Sequence, residues 1–325
     1  MRLIQHVARR IVACRPCLRP VRCLSSAPPP VRETMQHSTN DYNGVLRSLA
    51  SYFDALHHND AERMKEVWHE RACLRRPSGD GGVACIDTSS FLNIVASKDA
   101  AAADAPPSLP WLSDRVVSID FASPETAMAK VEITLGDKTY TDYLALLRLA
   151  AGWKIVAKLF ASRPGASPGC VDTTPHEASA AEVGTAVANY FSARRNADAT
   201  LMGSLLHPSC QLLGVRRDNG ALCEVERDFF VGRTGGVHKP TAAGVGAARW
   251  DRLVSVDKSG PDTALAKLHI GYYVQDLALD PTAPPGPRMF TDYLHLIRVA
   301  GGWRIVARIY TAVDAPAEAS SSEPL

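Results

Sequence analysis

The sequence predicts an α+β fold that is built twice in one chain. Three observations carry this. Residues 140–160 (YTDYLALLRLAAGWKIVAKLF) and 290–310 (FTDYLHLIRVAGGWRIVARIY) are identical at twelve of twenty-one positions, and self-similarity of that length marks a duplicated structural unit. Upstream, RVVSIDFASPETAMAKVEI (115–133) matches RLVSVDKSGPDTALAKLHI (252–270) without a gap. Each copy also opens with apolar residues at helical spacing and closes with strand-like runs, an order that gives helices packed on an antiparallel sheet.

The first residues are expected to be an address, the alternative being a disordered basic tail. Its first thirty residues hold no Asp or Glu, while Arg2, Arg9, Arg10, Arg15, Arg19 and Arg22 lie among them. Ile4, Val7 and Ile11 fall on one helical face. Arg-rich, acid-free and amphipathic is the profile of an organellar transit peptide rather than a secretory signal. Arg22-Cys23-Leu24 before Ser25-Ser26 resembles a mitochondrial processing site, so a mitochondrial transit peptide cut after Leu24 is expected, with a plastid address as the rival. Removing six Arg and no acid takes the formal charge from +2 to −4, so no basic surface for nucleic acid remains. No apolar run approaches the roughly 20 residues of a membrane span. Residues 25–39 read as a flexible segment.

The first copy follows at 40–162. Tyr42, Leu46, Leu49, Tyr52, Phe53 and Leu56 recur at helical spacing. Asp60 is placed to cap a second helix carrying Met64, Val67 and Trp68, and Asp87 to cap a short third one with Phe91, Leu92 and Val95. The strands turn at Ser123-Pro124-Glu125 and again at Ala150-Ala151-Gly152, where a short Gly-containing break marks a hairpin. Both strands of this last hairpin are apolar on both faces, so each is expected to be covered on both sides. After a linker at 163–179, rich in Pro, Ser and Gly, the second copy spans 180–313 with Tyr190, Asp198, Met202 and His207 repeating Tyr52, Asp60, Met64 and His69. Extra residues around Pro281–Pro287 lengthen its last hairpin region. Residues 314–325 read as a loose tail.

Of eight cysteines, Cys73, Cys85, Cys170, Cys210 and Cys223 survive removal of the presequence. The odd count and the lack of zinc-like spacing predict idle thiols in a reducing compartment, and no metal site. His57-His58 cannot converge on an ion, because adjacent helical residues do not face together. Neither a Gly-rich phosphate loop nor a nucleophile elbow is present, so no cofactor is expected.

Two helices with an Asp-capped second one, a short third helix, and hairpins ending in TDYL…GW(K/R)IV: this order resembles the nuclear transport factor 2-like superfamily. The closing signature resembles its SnoaL-like and lumazine-binding-type families. The resemblance implies two tandem cone-shaped domains, each with N-terminal helices packed on a curved antiparallel sheet around a pocket. It also implies association through the outer sheet face, here as an intramolecular pseudo-dimer. Since the superfamily holds isomerases, dehydratases, transport adaptors and scaffolds, the fold does not fix the chemistry.

Tyr52 and Tyr190 stand where ketosteroid isomerases carry an oxyanion-stabilising tyrosine. The positions of the isomerase base hold Arg76 and Gly214, and those of its second donor hold Ala145 and His295, so that reaction is rejected. By strand parity Asp142 shares a face with Leu144, Leu146 and Arg148. The plain reading is an Asp–Arg pair; the functional one is a pocket acid working with His69 or His207. His295 is unique to copy two. The candidate catalytic set is therefore His295, Tyr190, Asp292 and His207, and the candidate ligand pocket is Tyr52, Tyr143, Tyr190, Tyr293 and His295. The expected function is a non-catalytic module of the mitochondrial matrix, binding a small apolar or aromatic ligand or a protein partner. The alternatives are a dehydratase-, isomerase- or hydrolase-type enzyme with its site in the second domain, or an accessory subunit of a mitochondrial complex.

Overall fold

A computed structural model describes residues 39–97, 114–164, 177–216, 218–236, 250–274 and 286–314. The expected presequence, most of the linker and most of the tail lie outside the described residues. So does part of the lengthened loop before the second copy's last hairpin.

The first domain runs α1 (Thr39–His57), α2 (Ala61–Val67), β1 (Trp68–Pro77), β2 (Val83–Asp87), α3 (Thr88–Ala96), β3 (Arg115–Ser123), β4 (Thr126–Leu135), β5 (Lys138–Leu149) and β6 (Gly152–Pro164). The second repeats it as α4 (Glu177–Arg195), α5 (Ala199–Leu205), β7 (Leu206–Val215), β8 (Leu222–Val225), α6 (Arg227–Gly236), β9 (Trp250–Lys258), β10 (Thr263–Val274), β11 (Gly286–Val299) and β12 (Gly302–Asp314). The two six-stranded sheets have the same order, β2-β1-β6-β5-β4-β3 and β8-β7-β12-β11-β10-β9. All neighbours are antiparallel except β1 beside β6 and β7 beside β12, which are parallel.

Local chemistry sets the boundaries. Asp60 accepts a hydrogen bond from the Arg63 backbone N–H (2.9 Å), and Asp198 from that of Leu201 (2.8 Å), satisfying donors that the first helical turn leaves unpaired. Asn59 and Ala197 precede these caps at φ 53°, the left-handed turn that reverses the chain between helices. Gly152 and Gly302, at φ 101° and 103°, close the two-residue turns of the last hairpins.

Each sheet buries both faces. The inner face of the first packs Ala129, Val131, Leu144, Leu146 and Ile155 against Val45, Leu49 and Phe53 of α1. Its outer face, with Tyr143, Ala145, Leu147, Val156 and Leu159, meets Leu213, Tyr293, Ile297, Val306 and Ile309 of the second sheet. In the last hairpins Leu144, Leu146 and Leu294 belong to their own domain cores, and Ile297 lies in the seam.

Polar contacts cross the seam in exchanged pairs. Lys130 Nζ donates to Asp257 Oδ1 (2.9 Å), and Lys267 Nζ donates to Asp120 Oδ2 (2.8 Å). In the gapless repeat Asp120 is the counterpart of Asp257, and Lys130 of Lys267. Tyr293 Oη also donates to Asp120 Oδ2 (2.8 Å).

Cys73 and Cys85 are not idle thiols but joined as a disulfide between β1 and β2, with Cα atoms 6.5 Å apart. An odd total argues against a framework of bridges, yet says nothing against one local bridge inside a hairpin. Cys210 and Cys223 are buried.

Candidate functional site

In the first domain α1 lays Tyr52 across the inner sheet face. Its hydroxyl donates to Asp142 Oδ2 (2.9 Å), and Lys158 Nζ donates both to Tyr52 Oη (2.7 Å) and to Asp142 Oδ2 (2.8 Å). Tyr52 and Asp142 are fully buried. Burial first, and the neighbouring carboxylate second, raise the Tyr52 phenol well above its ordinary range, so it stays a donor at neutral pH. Asp142 Oδ1 has no hydrogen-bond partner among the described residues. Trp68 stacks on Tyr52 at 6.4 Å, and Phe160 lies 4.8 Å from the Lys158 ammonium. Nearby, His57 Nε2 and Asp114 Oδ2 are 2.7 Å apart. Burial raises the Asp114 carboxyl against the opposing pull of His57.

The second domain repeats the constellation with different charges. Tyr190 Oη donates to Asp292 Oδ2 (3.2 Å), and Arg308 grips both carboxylate oxygens, Nε to Oδ2 (2.7 Å) and NH2 to Oδ1 (2.9 Å). Arg194 NH1 adds a donor to Tyr190 Oη (3.3 Å). Burial pushes the Tyr190 phenol up to about 12. In the matched helices Arg194 stands at the place of Leu56 and Arg195 at that of His57, and Arg195 pairs with Asp251 (3.1 Å).

The structure brings together two of the four residues nominated as catalytic, Tyr190 and Asp292. His207 turns to Ser209 on its own strand (2.8 Å). His295, Tyr293 and Tyr143 point to the outer face and line the seam between the sheets rather than either cone, because alternate strand residues face opposite sides. Asp142 does not pair with Arg148. That guanidinium reaches Asp41 (2.8 Å) and Glu125 (3.2 Å).

Lys158 and Arg308, the cations that complete both sites, escaped the sequence reading. A register shift opposite Ala145/Leu146, and again opposite His295/Leu296, places a bulge in β6 and β12. It leaves Val156 and Ala157 both on the outer face and turns Lys158 inward. The detectable signal was a basic residue at the same place in both copies of an otherwise apolar strand.

Among the described residues no group of three or more His, Cys, Asp or Glu is placed to hold a metal ion. No described helix is long and apolar enough to cross a membrane.

Comparison with known proteins locates this architecture. Aldolase FrzH of Cladobotryum sp is 25% identical over 129 residues, 39% of this chain and 95% of its own length. A nuclear transport factor 2-like protein of unknown function from Silicibacter pomeroyi DSS-3 is 20% identical, covering 39% of this chain and 99% of its own, with a TM-score of 0.33. One with a cystatin-like fold from Novosphingobium aromaticivorans is 23% identical, covering 46% and 96%, with a TM-score of 0.32. The family described as "Putative lumazine-binding" matches residues 40–161 and again 178–311. The chain thus belongs to this nuclear transport factor 2-like family, as two tandem copies of its domain.

Proposed function

We propose that the protein binds a small, largely aromatic molecule in the cone of its first domain, with Asp142 as the acceptor that orients it. One observation carries this reading: Asp142 Oδ1 is a fully buried carboxylate oxygen without a partner among the described residues, whereas Arg308 occupies both oxygens of Asp292. A buried acceptor left open costs about 1–3 kcal/mol, which a ligand N–H or O–H recovers. Trp68 and Phe160 supply aromatic surface beside it, as small-molecule sites require. The family's description makes lumazine, a planar heteroaromatic imide with a suitable N–H, the natural probe. In a fluorescence titration, the intact protein and Asp292→Asn should bind it alike, and Asp142→Asn at least tenfold more weakly. Equal binding by Asp142→Asn would overturn the assignment.

The aldolase relative favours a second reading, an enzyme acting on a small carbonyl compound. Tyr52 would donate to the carbonyl oxygen and Asp142 would move the proton. Turnover of a β-hydroxyketone probe that is lost in both Tyr52→Phe and Asp142→Asn would favour it over simple binding.

The exchanged Lys130–Asp257 and Lys267–Asp120 pairs support treating the chain as an intramolecular pseudo-dimer, since a twofold interface makes every contact twice. The acid-free, Arg-rich residues 1–24 support an address to the mitochondrial matrix. Amino-terminal sequencing of the native protein should find a start near Ser25, and a retained Met1 would refute processing.

A further inference from the structure

A polar pair occurs in the apolar seam between the sheets, and the repeat does not duplicate it. Arg75 on β1 and His295 on β11 are 2% and 1% exposed, and β1 lies against β11 as β5 lies against β7. Their counterparts in the other copy are Leu213 and Ala145, both buried in the same seam. One half of the pseudo-symmetric contact is therefore Leu against Ala, and the other is Arg against His.

Placing a guanidinium there is expensive. It gives up its hydration, and among the described residues no carboxylate hydrogen-bonds to it. Arg75 NH1 donates to Gln211 Oε1 (3.0 Å) and NH2 to the Ser209 carbonyl (2.7 Å), both neutral acceptors. The nearby Glu224 is engaged by Arg71. Arg75 Nε and His295 Nε2 are each buried without a partner. Arg75 is also close enough to His295 to oppose its protonation, adding to the larger effect of burial. Two buried nitrogens without partners, one of them on a guanidinium that hydrogen-bonds only neutral acceptors, thus lie on contacting strands of the seam.

We propose that Arg75 and His295 form a binding site for one small monovalent anion of halide size, held between the two domains. Arg75 donates through Nε–H. His295, neutral, donates through Nε2–H in the tautomer that leaves Nδ1 unprotonated. The cross-strand neighbours Leu159 and Ala307 are fully buried and apolar, which favours a compact, weakly hydrated ion over a multiply charged oxyanion. The anion offsets the buried charge and ties β1 to β11. The inference rests on the packing of the seam and is independent of any ligand in the cones.

Thermal unfolding of the full chain tests it, with chloride exchanged for gluconate at constant ionic strength. Tm should rise by about 2–4 °C as chloride goes from zero to well above its Kd. The double variant Arg75→Leu, His295→Ala rebuilds the Leu213–Ala145 contact and should lose the chloride response. If that variant does not fold, crystals of the unaltered protein grown in bromide provide the test. A single anomalous peak within hydrogen-bonding distance of Arg75 Nε supports the site. A water in that position, or a chloride response that survives in the double variant, overturns it.

Discussion

Asp142 and Asp292 hold the same place in the repeat and end in different states. Lys158 offers Asp142 a single ammonium that reaches one oxygen, whereas the forked guanidinium of Arg308 takes both oxygens of Asp292. That one difference leaves an open acceptor in the first cone and a closed one in the second. His295, where the first copy has Ala145, is buried as well. Burial, and then Arg75, push its imidazole down to about 3. With the folded value below the unfolded one, the unfolded chain takes up the proton first. Stability is therefore full above about pH 6.5 and falls as pH drops toward 3, by about 1.4 kcal/mol per unit from this group. In halide-free buffer His295→Ala should flatten the decline in urea-unfolding stability between pH 6 and pH 4 by about that slope. Parallel profiles would show that the imidazole is not buried neutral.

At the scale of elements, the helix turns and the hairpin bulges decide what faces inward. Ala197 holds a left-handed turn at φ 53° that Asn59 fills in the first copy. A Cβ in that conformation is costly, so Ala197→Gly should stabilise the protein by up to about 1 kcal/mol in urea unfolding. The opposite is expected at Gly44, where an added Cβ would lie 2.6 Å from Cδ1 of Trp153. Gly44→Ala gains about 1 kcal/mol of helix propensity but must displace an indole, an overpacking of about 1–3 kcal/mol, and a net loss should be measured. Glu182, at the same place in the second copy, instead accepts from Trp303 Nε1 (3.2 Å).

These elements show what was legible in the sequence. The duplicated TDYL…GW stretch, the Asp60 and Asp198 caps and the Pro-containing turns are local signals, and they gave the α+β repeat directly. Site orientation is not local. Strict alternation places Lys158 outward, and the extra residue at Val156 that turns it inward is invisible without the partner strand. The same alternation does place Tyr143, Tyr293 and His295 opposite Asp142 and Asp292, but which face meets the helices is set by tertiary packing. The bridge between Cys73 and Cys85 was hidden because counting cysteines tests a framework, not a single hairpin.

For the whole molecule, the seam is where two domains become one unit. Lys130 and Lys267 cross it to Asp257 and Asp120. Their amines lie at the edge of a buried apolar contact that would be exposed if the halves were parted. Either domain expressed alone should self-associate or aggregate in sedimentation experiments; two well-behaved monomeric halves would count against the pseudo-dimer. Lys130→Ala with Lys267→Ala should cost about 1–2 kcal/mol in all, the scale of two partly exposed ion pairs, and should lower the salt sensitivity of unfolding.

The central claim is that duplication left one competent cone, not two. Isothermal titration calorimetry of lumazine into the intact chain tests it through stoichiometry. One site per chain is expected, abolished by Asp142→Asn and kept by Asp292→Asn. Two equivalent sites per chain, or one site that survives Asp142→Asn and disappears with Asp292→Asn, would contradict it.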